Sequence, residues 1–236
     1  EALGLTLPGA ALAPATMRDV IQYARYAGRK IMELVEKDIT PSKIMTPAAF
    51  RNAIIIHSAI GGSTNATIHL PSIARELGYD LPIELFDEIN HQVPHLGNIN
   101  PSGQHLTESF WFAGGVPMVQ WMLRDMLDLD VMTVTGKTLG ENLEDLHKDN
   151  WFERNLGYLH NYGLTREQVI FPVEKAPEKG SVAILKGNIA PEGSVLKYSA
   201  CAMNQREVVN AVARVFNHEE DAHDAVVNNQ INPGEV

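Results

Sequence analysis

The chain has 236 residues, 44% of them hydrophobic and 20% charged, which excludes a disordered polymer and gives enough apolar material for a sizeable core. A formal charge of −10, with 19 Lys and Arg scattered along the chain, excludes a general nucleic-acid binder, because phosphate neutralisation needs clustered cations. The single cysteine, Cys201, can neither close an internal disulfide nor hold a zinc or an iron–sulfur cluster alone, which points to a reducing, cytoplasmic setting. No apolar stretch reaches membrane-spanning length, and "EALGLTLPGAALAPA" lacks the basic start of a signal peptide. The chain opens without Met, so the expectation is a piece of a longer or processed protein.

In residues 16–37 the apolar positions Val20, Ala24, Ala27, Ile31, Leu34 and Val35 recur at helical spacing, with Thr16 as N-cap. Thr46 and Pro47 open a second, almost wholly apolar helix that ends at Gly61 and Gly62. Residues 64–77 predict a third, perturbed at Pro71 and closed by Gly78, and "IELFDEIN" a short acidic fourth. "PHLGNINPSGQHL", residues 94–106, is rich in turn formers and reads as loop. Gly114, Gly115 and Pro117 then split "TESFWFAGGVPMVQWMLRDM" into two helices, "DVMTVTG" reads as a short strand, and "LGENLEDL" starts a helix.

Beyond residue 170 the texture changes. "SVAILKGNIAPEGSVLKYSA" holds two β-branched runs around a turn, a hairpin signature; "VARVF" predicts a further strand, and Asn217 with Glu220 a capping box. A mainly helical region, 1–170, thus gives way to a β-rich one, 171–236.

"GGSTN" is the most suggestive chemical signal. Glycines let backbone approach a ligand closely, and a following helix start offers unpaired N–H groups and partial positive charge to a carboxylate or phosphate. Ser63, Thr64 and Asn65 add donors and are the candidate substrate-binding residues. The plainer alternative is a tight turn with a Ser cap. The segment is no P-loop, since no Gly-Lys-Ser/Thr follows. The nine histidines form no metal-ligand pattern: Pro94 separates His91 from His95, and neither His-Glu-x-x-His nor Cys-x-x-Cys occurs. Isolated, hydrogen-bonded histidines are the expectation. "GNIAPEGSVLK" offers Asn188, Glu192 and Lys197 in ordinary turn chemistry. Lys137 reads as a solvated helix-entry charge, and "FWF" as core or a domain interface.

"EALGLTLPG", "NAIIIHSAIGGSTNATIHLPSIARELG", "VPHLGNINPSG", "AGGVP", "MTVTGKTLGENL" and "LKGNIAPEGSVLK", in this order, resemble the dihydroxy-acid and phosphogluconate dehydratase family, which includes the sugar-acid dehydratases. The resemblance implies an α/β fold: the mostly helical second half of an α/β/α N-terminal domain, followed by the start of a β-barrel-like C-terminal domain. It implies a hydro-lyase that converts a 2,3-dihydroxy carboxylate to a 2-keto acid, with an iron–sulfur cluster drawing off the 3-hydroxyl, Mg2+ holding the carboxylate, and a serine taking the C2 proton. The family's cluster cysteines, Mg2+ ligands and serine fall outside the matching stretch. No catalytic or metal-ligating residue is therefore assigned in this chain, and Cys201 matches no cluster position. "SAIGGSTNA" and the run from "GENLEDL" through "VIFPVEKAPEKG" into "GNIAPEGSVLK" resemble sugar-acid dehydratases more than the branched-chain enzyme. A small-molecule substrate and a homo-oligomer, dimer or dimer of dimers, are likewise implied. A non-catalytic module of the same fold and a histidine-based metal hydrolase remain alternatives.

Overall fold

A computed structural model describes residues 1–177, 180–201 and 210–235, in two units, Glu1–Ala200 and Cys201–Val236. The first unit is built around a largely apolar helix in which only Pro47 and Arg51 are exposed, as a helix enclosed on most sides must be. α1 (Asp19–Glu36) and α2 (Pro41–Ile44) precede it; α3 (Pro47–Ile60) is the central helix, with Phe50, Ile54, Ile55, Ile56 and Ala59 all 2% exposed or less. Thr46 caps α3 by accepting from Ala49 N, with Pro47 behind it where no N–H is needed.

α3 packs against α4 (Ala66–Glu76), α5 (Ile83–Asn90) and α7 (Gly115–Met122). α6 (Thr107–Phe112) meets α7 at Gly114 and Gly115, both at positive φ, and the run Phe110, Trp111, Phe112 is core. α8 (Leu139–Lys148) opens with a complete capping box, Thr138 with Glu141, and Lys137 is paired with Asp145. α9 (Trp151–Arg154), α10 (Leu156–Asn161) and α11 (Arg166–Val169) follow. The hairpin β1 (Ala183–Leu185) and β2 (Ser194–Leu196) is antiparallel, in the register Ala183 with Leu196, and rests on α5.

Buried polar side chains join these parts. Asn52 on α3 donates to Asp128 O (2.8 Å) and accepts from Asp128 N (2.9 Å). Asn90, 4% exposed at the end of α5, accepts from Ser58 Oγ (2.6 Å), Ser181 N (3.0 Å) and Val182 N (3.4 Å), and donates to Phe86 O (2.7 Å). One amide thereby ties α3, α5 and the hairpin together, its oxygen accepting from three donors and its nitrogen donating to Phe86 O.

In the second unit α12 (Glu219–Val227) is followed by a turn in which Glu235 accepts from Arg214 and Asn232, and Val212 forms an isolated bridge with Glu235.

Several expectations are corrected. "VARVF" is no strand, because Val212 alone is bridged, and "DVMTVTG" is none either, its Met132 pairing only with Thr138. A β-prone run needs a partner of matching length to become a strand. α1 is capped by Arg18 without a side-chain bond, not by Thr16, and α12 by His218, so the box of Asn217 with Glu220 is not formed. Pro71 stays inside α4, where Ser72 Oγ donates to Ile68 O (2.8 Å). On α1 only Leu34 is buried; Ile21, Ile31, Met32 and Val35 are exposed.

Candidate functional site

The C-terminus of α3 is where separate stretches of chain meet. Gly61, at φ +67°, closes the helix in the left-handed region, and Gly62 N donates back to His57 O (2.9 Å). The next residues turn at once into α4, whose N-cap is Asn65. Ser63 Oγ accepts from Asn65 N (3.2 Å), and Thr67 Oγ1 donates to Thr64 O (2.8 Å). The side chains of Ser63 and Asn65 are exposed, and Asn65 makes no side-chain cap bond.

Three further elements brace this turn. From within α3, His57 Nε2 lies 2.8 Å from Ser63 O. A carbonyl oxygen only accepts, so Nε2 carries the proton and the ring is the Nε2–H tautomer. From the residues after β2, Lys197 Nζ donates to Gly61 O (2.7 Å) and Gly62 O (3.2 Å), a cation on the carbonyl end of α3. From the 94–106 loop, Leu96 N and Gly97 N both donate to Ala59 O (2.7 and 3.0 Å). Gly97 is needed there, since a β-carbon would fall 2.7 Å from Ile60 O.

The same loop brings His95, 4% exposed, and Ser102 to the far side of Gly61, where a β-carbon would lie 2.9 Å from His95 Nε2 and 3.4 Å from Ser102 Oγ. Ser199 Oγ donates to Ser181 O (3.2 Å) and lies 2.8 Å from Ser102 Oγ. Burial, and next the positive charge of Lys197, push the His57 imidazole below its ordinary value against the opposing pull of the Ser63 carbonyl; burial also lowers Lys197.

His95, Ser102 and Lys197 therefore meet the turn at Gly61 and Gly62, with Ser199 against Ser102, and Ser63, Thr64 and Asn65 follow next along the chain. Asn188 and Glu192 stay exposed in the hairpin loop, and His91 lies at the end of α5, 3.4 Å from Asp87. A cation, hydroxyls, an exposed amide and a helix amino terminus can hold and orient an oxygen-rich anion. Sequence reasoning missed Ser102 and Ser199, and it set His95 aside as isolated. The density of Gly, Pro and Asn in "VPHLGNINPSG" was the available signal, because only a loop so built can follow a helix end closely.

A family model described as dihydroxy-acid/6-phosphogluconate dehydratase N-terminal matches residues 1–142, and its C-terminal counterpart matches 168–236. The chain belongs to the dihydroxy-acid/6-phosphogluconate dehydratase family. This family's members include dihydroxy-acid dehydratases similar to the present chain from Halothermothrix orenii (42% identical over 239 residues) and Nitratidesulfovibrio vulgaris (42% over 240). Another, from Methanosarcina barkeri, is 41% identical over 236 residues. All of this chain is covered in each case, but only 40% of each relative, so it spans about two fifths of their length.

The cofactors that the dehydratase resemblance implies find no ligand set here. Among the described residues no group of three or more His, Cys, Asp or Glu side chains converges as a metal site, and Cys201 is the sole thiol of the sequence. The described residues thus offer no thiolate set for a cluster. No helix among them is long and apolar enough to cross a membrane.

Proposed function

We propose that the chain is part of a hydro-lyase that removes water from a 2,3-dihydroxy carboxylate and releases a 2-keto acid, and that it supplies part of the substrate-holding wall. The convergence of the glycine-closed turn 61–65, the amino terminus of α4 and Lys197 carries this reading. Ser63, Thr64 and Asn65 hold carboxylate and hydroxyl oxygens through their side chains, at the positive end of the α4 dipole. The chemistry needs charge stabilised at both reacting carbons, because hydroxide leaves poorly and the C2 proton is weakly acidic. This chain's share is binding and orientation; no step is assigned to the cofactors.

For the substrate, the resemblance of residues 58–66 and 140–197 to sugar-acid dehydratases supports a polyhydroxy acid, while the name carried by the relatives supports a dihydroxy acid such as the branched-chain ones. Homo-oligomeric assembly, a cytoplasmic setting and the division into parts of two domains at residue 170 belong to the same reading. The test is keto-acid formation by the full-length protein, assembled anaerobically with iron, sulfide and Mg2+, over a panel of aldonates and branched-chain dihydroxy acids. Turnover of neither class refutes the reading. Asn65→Ala and Ser63→Ala are expected to raise KM about tenfold, the loss of one substrate hydrogen bond. Unchanged kinetics with lowered stability would leave the turn a cap and nothing more.

A further inference from the structure

We infer that His57 is a positioning residue: its Nε2–H grips the Ser63 carbonyl and thereby fixes the direction in which Ser63, Thr64 and Asn65 face the substrate. The inference rests on the reading of residues 63–65 as substrate-holding. The geometry is specific. The Nε2 to Ser63 O distance is 2.8 Å, and the ring lies so close over Gly62 that a β-carbon there would come 2.1 Å from Cδ2. Phe86 on α5 stands in a T-shaped contact with the ring, with centroids 6.3 Å apart and planes at 88°. The imidazole is thus held between α5 and the turn, with freedom neither to flip nor to swing.

The second observation is the other nitrogen. Nδ1 is buried and has no hydrogen-bond partner. A side chain kept only to fill space would be apolar here, because a stranded buried acceptor is unfavourable and leucine has none. What leucine cannot do is donate to Ser63 O. Ser63 O also accepts from Ala66 N (3.1 Å), a bond within the turn itself, so His57 is the side chain that ties this carbonyl to α3, while Lys197 serves the two preceding ones. The charged and titratable groups that face the turn are Lys197 from the segment after β2 and His95 from the 94–106 loop.

Glutamine can place an amide N–H where Nε2 stands, whereas leucine of similar bulk donates nothing. In the full-length protein His57→Leu is expected to raise KM about tenfold with kcat changed less than about threefold, and His57→Gln to restore KM to within about threefold. A KM in His57→Leu equal to that of the unaltered protein overturns the inference, as does a His57→Gln variant no better than leucine. Long-range nitrogen NMR of the 236-residue chain is independent of turnover: it should report the proton of His57 on Nε2, and a proton on Nδ1 overturns the tether directly. If the unaltered full-length protein turns over no dihydroxy acid, the functional reading falls, and with it the role in orienting substrate. The tether itself is then decided by the NMR alone.

Discussion

Replacing Gly62 with alanine tests the packing beneath the 61–65 turn through stability alone. Gly62 is not at positive φ, unlike Gly61, so alanine there meets a clash and not backbone strain. The new β-carbon would lie 2.1 Å from His57 Cδ2, 2.7 Å from Nε2 and 2.9 Å from Cγ, and the ring also packs against Phe86. Relieving that overlap costs about 1–3 kcal/mol, as overpacking of a tight site does, and the displaced ring forfeits its bond to Ser63 O, worth about 1 kcal/mol. The sum, about 2–4 kcal/mol, lowers Tm by about 4–16 °C in a chain of this size. In a His57→Ala background the obstacle is gone, so the same substitution is neutral or gains up to about 1 kcal/mol from the stiffer unfolded chain. Thermal and urea denaturation of the four proteins in the cycle measure a coupling of about 2–4 kcal/mol. Additivity within about 0.5 kcal/mol, or a Gly62→Ala Tm within about 1 °C of the unaltered chain, would refute the packing described.

Asn90→Ala strands Ser181 N and Val182 N and removes the acceptor of Ser58 Oγ, so a loss of about 2–4 kcal/mol is expected, with faster hydrogen exchange across residues 182–196. Unchanged exchange there would show that the hairpin does not depend on this amide. His57 gives a pH dependence of definite sign. Its folded-state value lies below the ordinary 6.5, so between the two the unfolded chain binds more protons, and stability falls as pH drops through that window. Urea midpoints at about pH 7.5 and about pH 5.5 should therefore diverge more in the unaltered chain than in His57→Gln. Equal divergence would show that His57 does not carry the effect.

Local chemistry was legible in the sequence, and distant partnerships were not. Thr46 with Pro47, Thr138 with Glu141, and Gly61 are signals contained within one turn of chain, and the corresponding helix ends lie where they are written. The hairpin was legible because both of its strands lie within fourteen residues, 183–196. "VARVF" and "DVMTVTG" have the same β-branched character but no adjacent partner, and propensity alone cannot supply one. α1 shows the limit of periodicity, which found the helix but not the exposure of Ile31 and Val35. Of the candidate site, residues 63–65 stood out as an interruption. Lys197, 136 positions beyond Gly61, and Ser102 with Ser199, 97 apart, become neighbours only through the fold.

That difference in span also orders events in time. The grip of His57 on Ser63 closes a separation of 6 residues, whereas Lys197 reaches Gly61 across 136. Loop closure scales with the logarithm of length, so the long contact carries about 3 kcal/mol more entropic cost than the short one. The turn can therefore acquire its shape while the chain is still largely unfolded, and the arrival of Lys197 locks a shape already made.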